Sequence, residues 1–264
     1  MEELRKILLA SANRETVVVG GMAVSILAWV YGVDVPEPCT TLDVDFLGDR
    51  LAIELSEKRL SDLGFVARKY LATPEDVGTP NSGKLAVDVS ADAEPAEIDY
   101  LFRIDGLATD EIEEKAVQVE IDGGQIRVMH PLLLLENKIN NLALYPNKRD
   151  VAGIQQVRLA VGIARRYLEE LSGTRAEVGQ RQMLTAIERI FRLAQREASC
   201  FVYLAHGIDA LQAVPLKSID SREFLDNRWP QIQVRTSDRR TRFKNLWDRM
   251  LSMHSDPTRR RFRI

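Results

Sequence analysis

Val17-Val18-Val19-Gly20-Gly21-Met22-Ala23, followed after a short interval by Thr41-Leu42-Asp43-Val44-Asp45-Phe46-Leu47, is the stretch on which the reading of this chain turns. A β-branched run meets two glycines, an apolar helix follows, and a strand carrying two acids closes the unit. Glycine lets the backbone turn sharply and approach a ligand closely. A helix beginning there aims N–H groups and its dipole at the same spot, which suits a phosphate. Asp43 and Asp45 are two apart on a strand and so share one face, while Leu42, Val44 and Phe46 take the other and supply core. Two adjacent carboxylates repel and are costly to bury. A divalent cation with oxygen ligands resolves that conflict. A phosphate cradle beside a metal-binding pair is the chemistry of nucleotide transfer.

Around this unit the chain is unexceptional in bulk. It has 264 residues, 45% of them hydrophobic, which suffices for one large domain or two small ones. A net charge of −3 and a pI near 5.8 exclude an overall polycation, although Arg235 to Ile264 is rich in arginine. Cys39 and Cys200 lie far apart and, with His130, His206 and His254, form neither zinc spacing nor a disulfide framework, which fits a reducing cytoplasm. The N-terminus lacks the basic-then-apolar order of a signal peptide. The longest apolar run, Met22 to Val30, is interrupted by Ser25 and too short to span a bilayer, so the expectation is a soluble, cytoplasmic protein with no membrane partner.

Periodicity divides the chain near residue 130. Before it, helices are expected over 2–11, 22–31 and 51–63, the last ended by Gly64. Strands are expected over 16–19, 41–47, 65–71, 84–89 and 97–102, with loops over 33–40 and 73–83. Asp122-Gly123-Gly124 between two β-branched runs signals a hairpin. After it, Pro131 fits the first position of a helix. Apolar steps of three and four mark helices over 150–171 and 180–198, and 201–212 reads as one more. The expected fold is therefore α/β (α+β): a mixed sheet with flanking helices over 1–129, then a helical domain over 130–264 with a basic C-terminal tail.

The order Gly-Gly, helix, Asp-x-Asp strand resembles the signature of the DNA polymerase β-like nucleotidyltransferase superfamily. Within it, the chain resembles the AbiEii-type and MenT-type nucleotidyltransferases of bacterial toxin–antitoxin systems. The resemblance rests on Gly20-Gly21-Met22-Ala23, Thr41-Leu42-Asp43-Val44-Asp45, the Pro131 to Lys138 segment and Lys148-Arg149-Asp150, and covers about residues 15–155. It implies an Mg2+-dependent transfer of a nucleoside monophosphate from an NTP to a hydroxyl of an RNA (tRNA-like) or protein acceptor, with a cognate antitoxin as a further partner. It implies Asp43 and Asp45 as metal ligands and catalytic residues, and Gly20, Gly21, Thr41, Lys138 and Asp150 as nucleotide-binding. The chain departs from its relatives at Cys39, where many have arginine, and at Gly153, where many have aspartate.

A third carboxylate is usual in that superfamily, as metal ligand and helper in deprotonating the acceptor. Asp99, in Glu97-Ile98-Asp99-Tyr100-Leu101, matches its position best, and Asp88 is the rival. Lys138 sits beside an apolar stripe, where an ammonium wants an anion; the alternative is a stem lying on the core with its head in water. Lys148 and Asp150 read equally well as a helix-start pair. The arginine-rich tail, with Arg239-Arg240 and Arg259-Arg260-Arg261, offers phosphate contacts, but a disordered, solvated tail is the preferred reading. Two other functions use the same motifs: a glycosyltransferase, whose Asp-x-Asp holds a metal–nucleotide-sugar, and a non-catalytic binding module on the nucleotidyltransferase fold.

Overall fold

The computed structural model describes residues 2–36, 43–73, 79–89, 94–173 and 176–255. Among these, β1 (Val17–Val19), β2 (Val44–Leu47), β3 (Ala67–Leu71), β4 (Asn81–Val87), β5 (Ala96–Leu101), β6 (Val117–Ile121) and β7 (Gly124–Val128) form one mixed sheet in the order β3-β4-β5-β2-β1-β7-β6. β2 is central. It runs antiparallel to β1 and parallel to β5, so Val44, Asp45 and Phe46 lie beside Ile98, Asp99 and Tyr100. Strand alternation then does two jobs at once. Val44, Phe46, Ile98 and Tyr100 are buried together, Phe46 stacking on Tyr100 with ring centroids 5.6 Å apart. The acids between them are left pointing the other way. Burying a side chain such as Phe46 contributes about 2–3 kcal/mol, and this anchors the register of the acids.

The core around the sheet is closed by α1 (Glu2–Ser11), α2 (Gly20–Val30) and α3 (Arg50–Asp62), through Ile7, Leu27, Ile53 and Leu60. Asp49 caps α3 by accepting from the Ala52 N–H at 3.1 Å, and Gly64, with a left-handed φ of 84°, follows its end as expected. Asp122 and Gly123, at φ 49° and 77°, make the tight turn between β6 and β7. α4 (Thr109–Lys115), which the periodicity did not announce, is a short acidic helix anchored by buried Ile112.

The second half is helical: α5 (Pro131–Leu144), α6 (Val151–Gly173), α7 (Ala176–Ala194), α8 (Glu197–His206) and α9 (Trp229–Ser255). His130 caps α5, its Nδ1 accepting from the Leu132 N–H at 3.1 Å, and Pro131 takes the first turn. α5 serves two cores. Leu133 and Leu134 belong to the core around the sheet; Leu132, Leu135, Ile139 and Leu142 belong to the core of the helices.

Three local expectations are corrected. α2 begins at Gly20 rather than at residue 22, because both glycines are wound into its first turn. The single helix over 201–212 is instead the end of α8 and a separate 3-10 turn at Ala210–Ala213, divided at Gly207, which takes φ 67°. The tail is helical as far as Ser255. Ile232 and Thr236, one turn apart, are buried, and Arg240 pairs with Asp209 while its guanidinium lies 3.8 Å from the centre of the Tyr203 ring. Those contacts give the segment an inner face that its arginines obscured in the sequence. Arg259, Arg260 and Arg261 lie outside the described residues.

Candidate active site

A cleft of about 590 Å³ opens where the start of α2, the acid edge of β2 and β5, and the middle of α5 meet. Gly20, Gly21, Asp43, Asp45, Asp99 and Lys138 all line it. Asp45 and Asp99 are direct neighbours across the parallel β2–β5 ladder, and Asp43 immediately precedes β2. Gly20 has a left-handed φ of 64°, and a Cβ there would lie 1.9 Å from Asp45 Oδ2. Its glycine identity is thus required twice, by the backbone and by the carboxylate packed against it. The sequence suggested that this glycine makes room for a ligand; it also makes room for Asp45. The residue before α2, Val19, offers no side-chain cap, so the helix presents its first backbone N–H groups at the cleft wall without one.

The electrostatics are unbalanced. Burial raises the proton affinity of Asp45, and neighbouring Asp99 and Asp43 raise it further against the opposing pull of Lys138. Asp99 is raised by burial, then by Glu97 and Asp43, with Lys84 opposing. Lys138 is only 6% exposed. Burial lowers its pKa to about 8, with Asp45 holding it up and Lys148 pushing it down. Its Nζ donates to Gln156 Oε1 at 2.9 Å, a neutral partner on α6. Carboxylates that resist ionising, beside an ammonium that resists protonation, describe a site that lacks some of its charge.

Among the described residues no three His, Cys, Asp or Glu side chains are gathered tightly enough to hold a metal ion as they stand. Mg2+ is commonly held by one or two carboxylates together with substrate phosphates. The hard oxygen donors and the raised proton affinities of Asp45 and Asp99 both fit such an ion.

Of the two candidates for the third carboxylate, Asp99 stands in the cleft. Asp88 follows β4 and pairs with Arg68 at 2.8 Å, away from the lining. Asp150 stands at the start of α6, between the lining residues Lys148 and Gly153. It caps the start of α6, its Oδ1 accepting from the Gly153 N–H at 2.7 Å, and it is not part of the lining. The helix-start reading describes it. Gly153 explains itself as well, since a Cβ there would come within 1.9 Å of the Lys148 carbonyl oxygen. Thr41 and Cys39 lie outside the described residues.

The outer wall holds residues that sequence reasoning passed over. Asn137, Asn141 and Tyr145 recur every fourth position along α5 and just beyond it, and all three line the cleft. Tyr145 donates to Asp105, which also faces Arg103 at 3.6 Å. The spacing of Asn137, Asn141 and Tyr145 was a usable signal; Gln156 had none, because its role depends on how α6 packs against α5.

No protein-family model matches the chain, and no curated protein does. Among solved structures, JHP933 from Helicobacter pylori is similar at 13% identity over 96% of each chain, with a TM-score of 0.39. ANT(2")-Ia in complex with adenylyl-2"-tobramycin is similar at 15% identity over 69% of this chain and 94% of that one, with a TM-score of 0.38. A solution structure of the antibiotic-resistance factor ANT(2")-Ia gives 16% identity, 71% and 94% coverage, and a TM-score of 0.38. Likenesses this distant carry no weight for function, which is left to the residues of the cleft. No described helix is long and apolar enough to cross a membrane.

Proposed function

We propose that the cleft transfers a nucleoside monophosphate from an NTP to an acceptor hydroxyl, of RNA (tRNA-like) or of protein. The observation that carries this reading is the side-by-side placement of Asp45 and Asp99 on adjacent parallel strands, with Asp43 and Lys138 in the same cleft at the start of α2. The resemblance of the Gly-Gly and Asp-x-Asp segments to toxin–antitoxin nucleotidyltransferases supports the same reading, and with it an antitoxin partner and a cytoplasmic location.

Each residue then has a task. The α2 N–H groups at Gly20 and Gly21 receive phosphate oxygens. Lys138 gains the anion that its site lacks when the triphosphate arrives. Asp43 and Asp45, with Asp99, would hold Mg2+, which when bound supplies charge neutralisation on the triphosphate. Asp99, whose proton affinity is raised, takes the acceptor proton. The acceptor oxygen bonds to the α-phosphorus as the bond from that phosphorus to the β-bridging oxygen breaks, and pyrophosphate leaves. Positioning and electrostatics carry most of such a transfer.

The test is to incubate the protein with each α-labelled NTP, Mg2+ and either total RNA or total protein. One NTP should label one acceptor class, with release of pyrophosphate. Absence of labelling with all four NTPs and both acceptor classes would overturn the proposal.

A further inference from the structure

A second groove, of about 680 Å³, lies at the other end of the α5–α6 pair. It is lined by the start of α5 (His130) and the later part of α6 (Tyr167), whereas the active-site cleft uses the middle of α5 and the start of α6. On α5 the nearest lining residues of the two, Leu132 and Asn137, are five apart, a rise of about 7.5 Å.

Four cations line this groove, Lys115, Arg181, Arg189 and Arg192, and no acid among the described residues does. Two of them are matched. Lys115 pairs with Glu111 at 2.6 Å, and Arg189 bonds both Glu111 and Glu136. Arg181 and Arg192 have no carboxylate at ion-pair distance among the described residues. Glu188, near Arg192, is engaged by both the Nε and an Nη of Arg228, at 2.6 and 2.7 Å. Positions 181, 185, 189 and 192 follow steps of four, four and three, so these arginines share one face of α7 with Thr185.

His130, whose Nε2 lies 3.1 Å from the Tyr167 hydroxyl, has its pKa lowered to about 4, by burial first and then by Arg189 and Lys115. With Arg181 and Arg192 unmatched, this wall carries excess positive charge even though the chain as a whole carries −3.

We propose that this groove binds the phosphodiester backbone of a single-stranded nucleic acid at a site separate from the cleft. Planar guanidinium forks match phosphate oxygens in pairs. Arg181 and Arg192 stand roughly 16 Å apart along α7, a span suited to phosphates in series rather than to one compact triphosphate. A protein partner would want a large exposed apolar centre; here Leu132 and Ala186 are buried and Tyr167 and Leu171 are half-buried, so the exposed groups on this wall are chiefly the arginines. The groove depends on its own charges, not on the transfer reaction proposed for the cleft.

The experiment measures binding of a fluorescent single-stranded RNA oligonucleotide to the full chain by anisotropy across a salt series. Both arginines are exposed on the helix surface, so the Arg181→Gln/Arg192→Gln variant should fold, which its melting curve checks. Its affinity should fall at least tenfold, and the slope of log K against log salt should become shallower by about 1.4, from ~0.7 for each lost phosphate contact. Asp43→Asn should bind the oligonucleotide as wild type does, which separates this site from the cleft. Unchanged affinity and slope in the double variant would overturn the proposal. So would competition by tripolyphosphate or by poly-glutamate as strong as that by unlabelled oligonucleotide. Should the double variant melt early, Arg192→Gln alone carries the same test, with half the change in slope expected.

Discussion

Glu136 and Lys138 are two residues apart on α5, and both are nearly sealed from water, at 3% and 6% exposure. Their surroundings differ. Glu136 receives Arg189 and Arg196, and Arg189 in turn reaches Glu111. Lys138 receives one neutral amide, from Gln156, and feels the carboxylate of Asp45 as its main opposite charge. A buried charge with ionic partners on its own side holds structure together. A buried charge given a neutral partner and placed beside acids that resist ionising has capacity left over for something that arrives later. Site and scaffold are thus told apart by how completely charge is answered, since burial is the same in both.

The largest break in this comparison comes from the cleft. Asp43→Asn should lower Mg2+-dependent transfer by a factor of a thousand or more, about 4 kcal/mol in the transition state, while melting close to wild type. Steady-state labelling and a thermal melt on the same preparation check both halves. At the other end Glu136→Gln should do the reverse. Two arginines lose the anion between them, so denaturant titration should show a loss of about 3 kcal/mol, with turnover per folded molecule unchanged. Lys138→Met sharpens the contrast. Removing an ammonium that burial disfavours should leave the urea midpoint equal or higher, and NTP affinity, read by calorimetry, should weaken about tenfold, or about 1.4 kcal/mol. Retained NTP affinity would return Lys138 to a packing role.

The smallest expected effect is on pH dependence, and it has opposite signs at the two ends. Glu111 is held down to about 2, first by its hydrogen bond to Arg189. A depressed carboxylate gives stability that is full above its unfolded value, near 4.5, and is lost as pH falls towards 2. Asp45 and Asp99 are raised, by burial first. Their folded forms hold protons more tightly than the unfolded chain, so protonating them stabilises and raising the pH through their titration costs stability. Urea midpoints measured against pH should therefore show a somewhat shallower acid-side slope in Glu111→Gln. In Asp99→Asn, without metal, they should rise slightly at pH values above the ordinary carboxylate range. Because Glu111 is well solvated, its share is modest.

The cleft was largely legible in the sequence because its signals are local. Glycines before a helix and acids two apart on a strand need only backbone periodicity to be interpreted, and Asp99 needed only the same periodicity on a second strand. Asp150 left two readings open, because an acid at a helix start looks the same whether it caps the backbone or meets a ligand. Gln156, the partner of Lys138, depends on a contact between helices, which no local pattern encodes. α9 was obscured by composition: its buried stripe of Ile232 and Thr236 is thin, and arginines that later find Asp209 and Glu197 read in isolation as solvated charge. The sheet order was likewise beyond reach, since β1 pairs with strands from both before and after the central loops.

Successive leucines of α5 alternate between two cores, Leu133 and Leu134 on one side, Leu132 and Leu135 on the other. Mechanically the helix is a rivet. To swing the sheet against the helices, one set of leucines would have to leave its packing, at a cost of about 2–5 kcal/mol for each large aliphatic contact surrendered. Under the proposed transfer, any closure around a triphosphate would fall to side chains at the cleft, among them Tyr145, Arg103 and Asp105, while Asp45 and Lys138 keep their distance. The wall that carries Lys138 is a fixed jaw, and substrate is fitted to it.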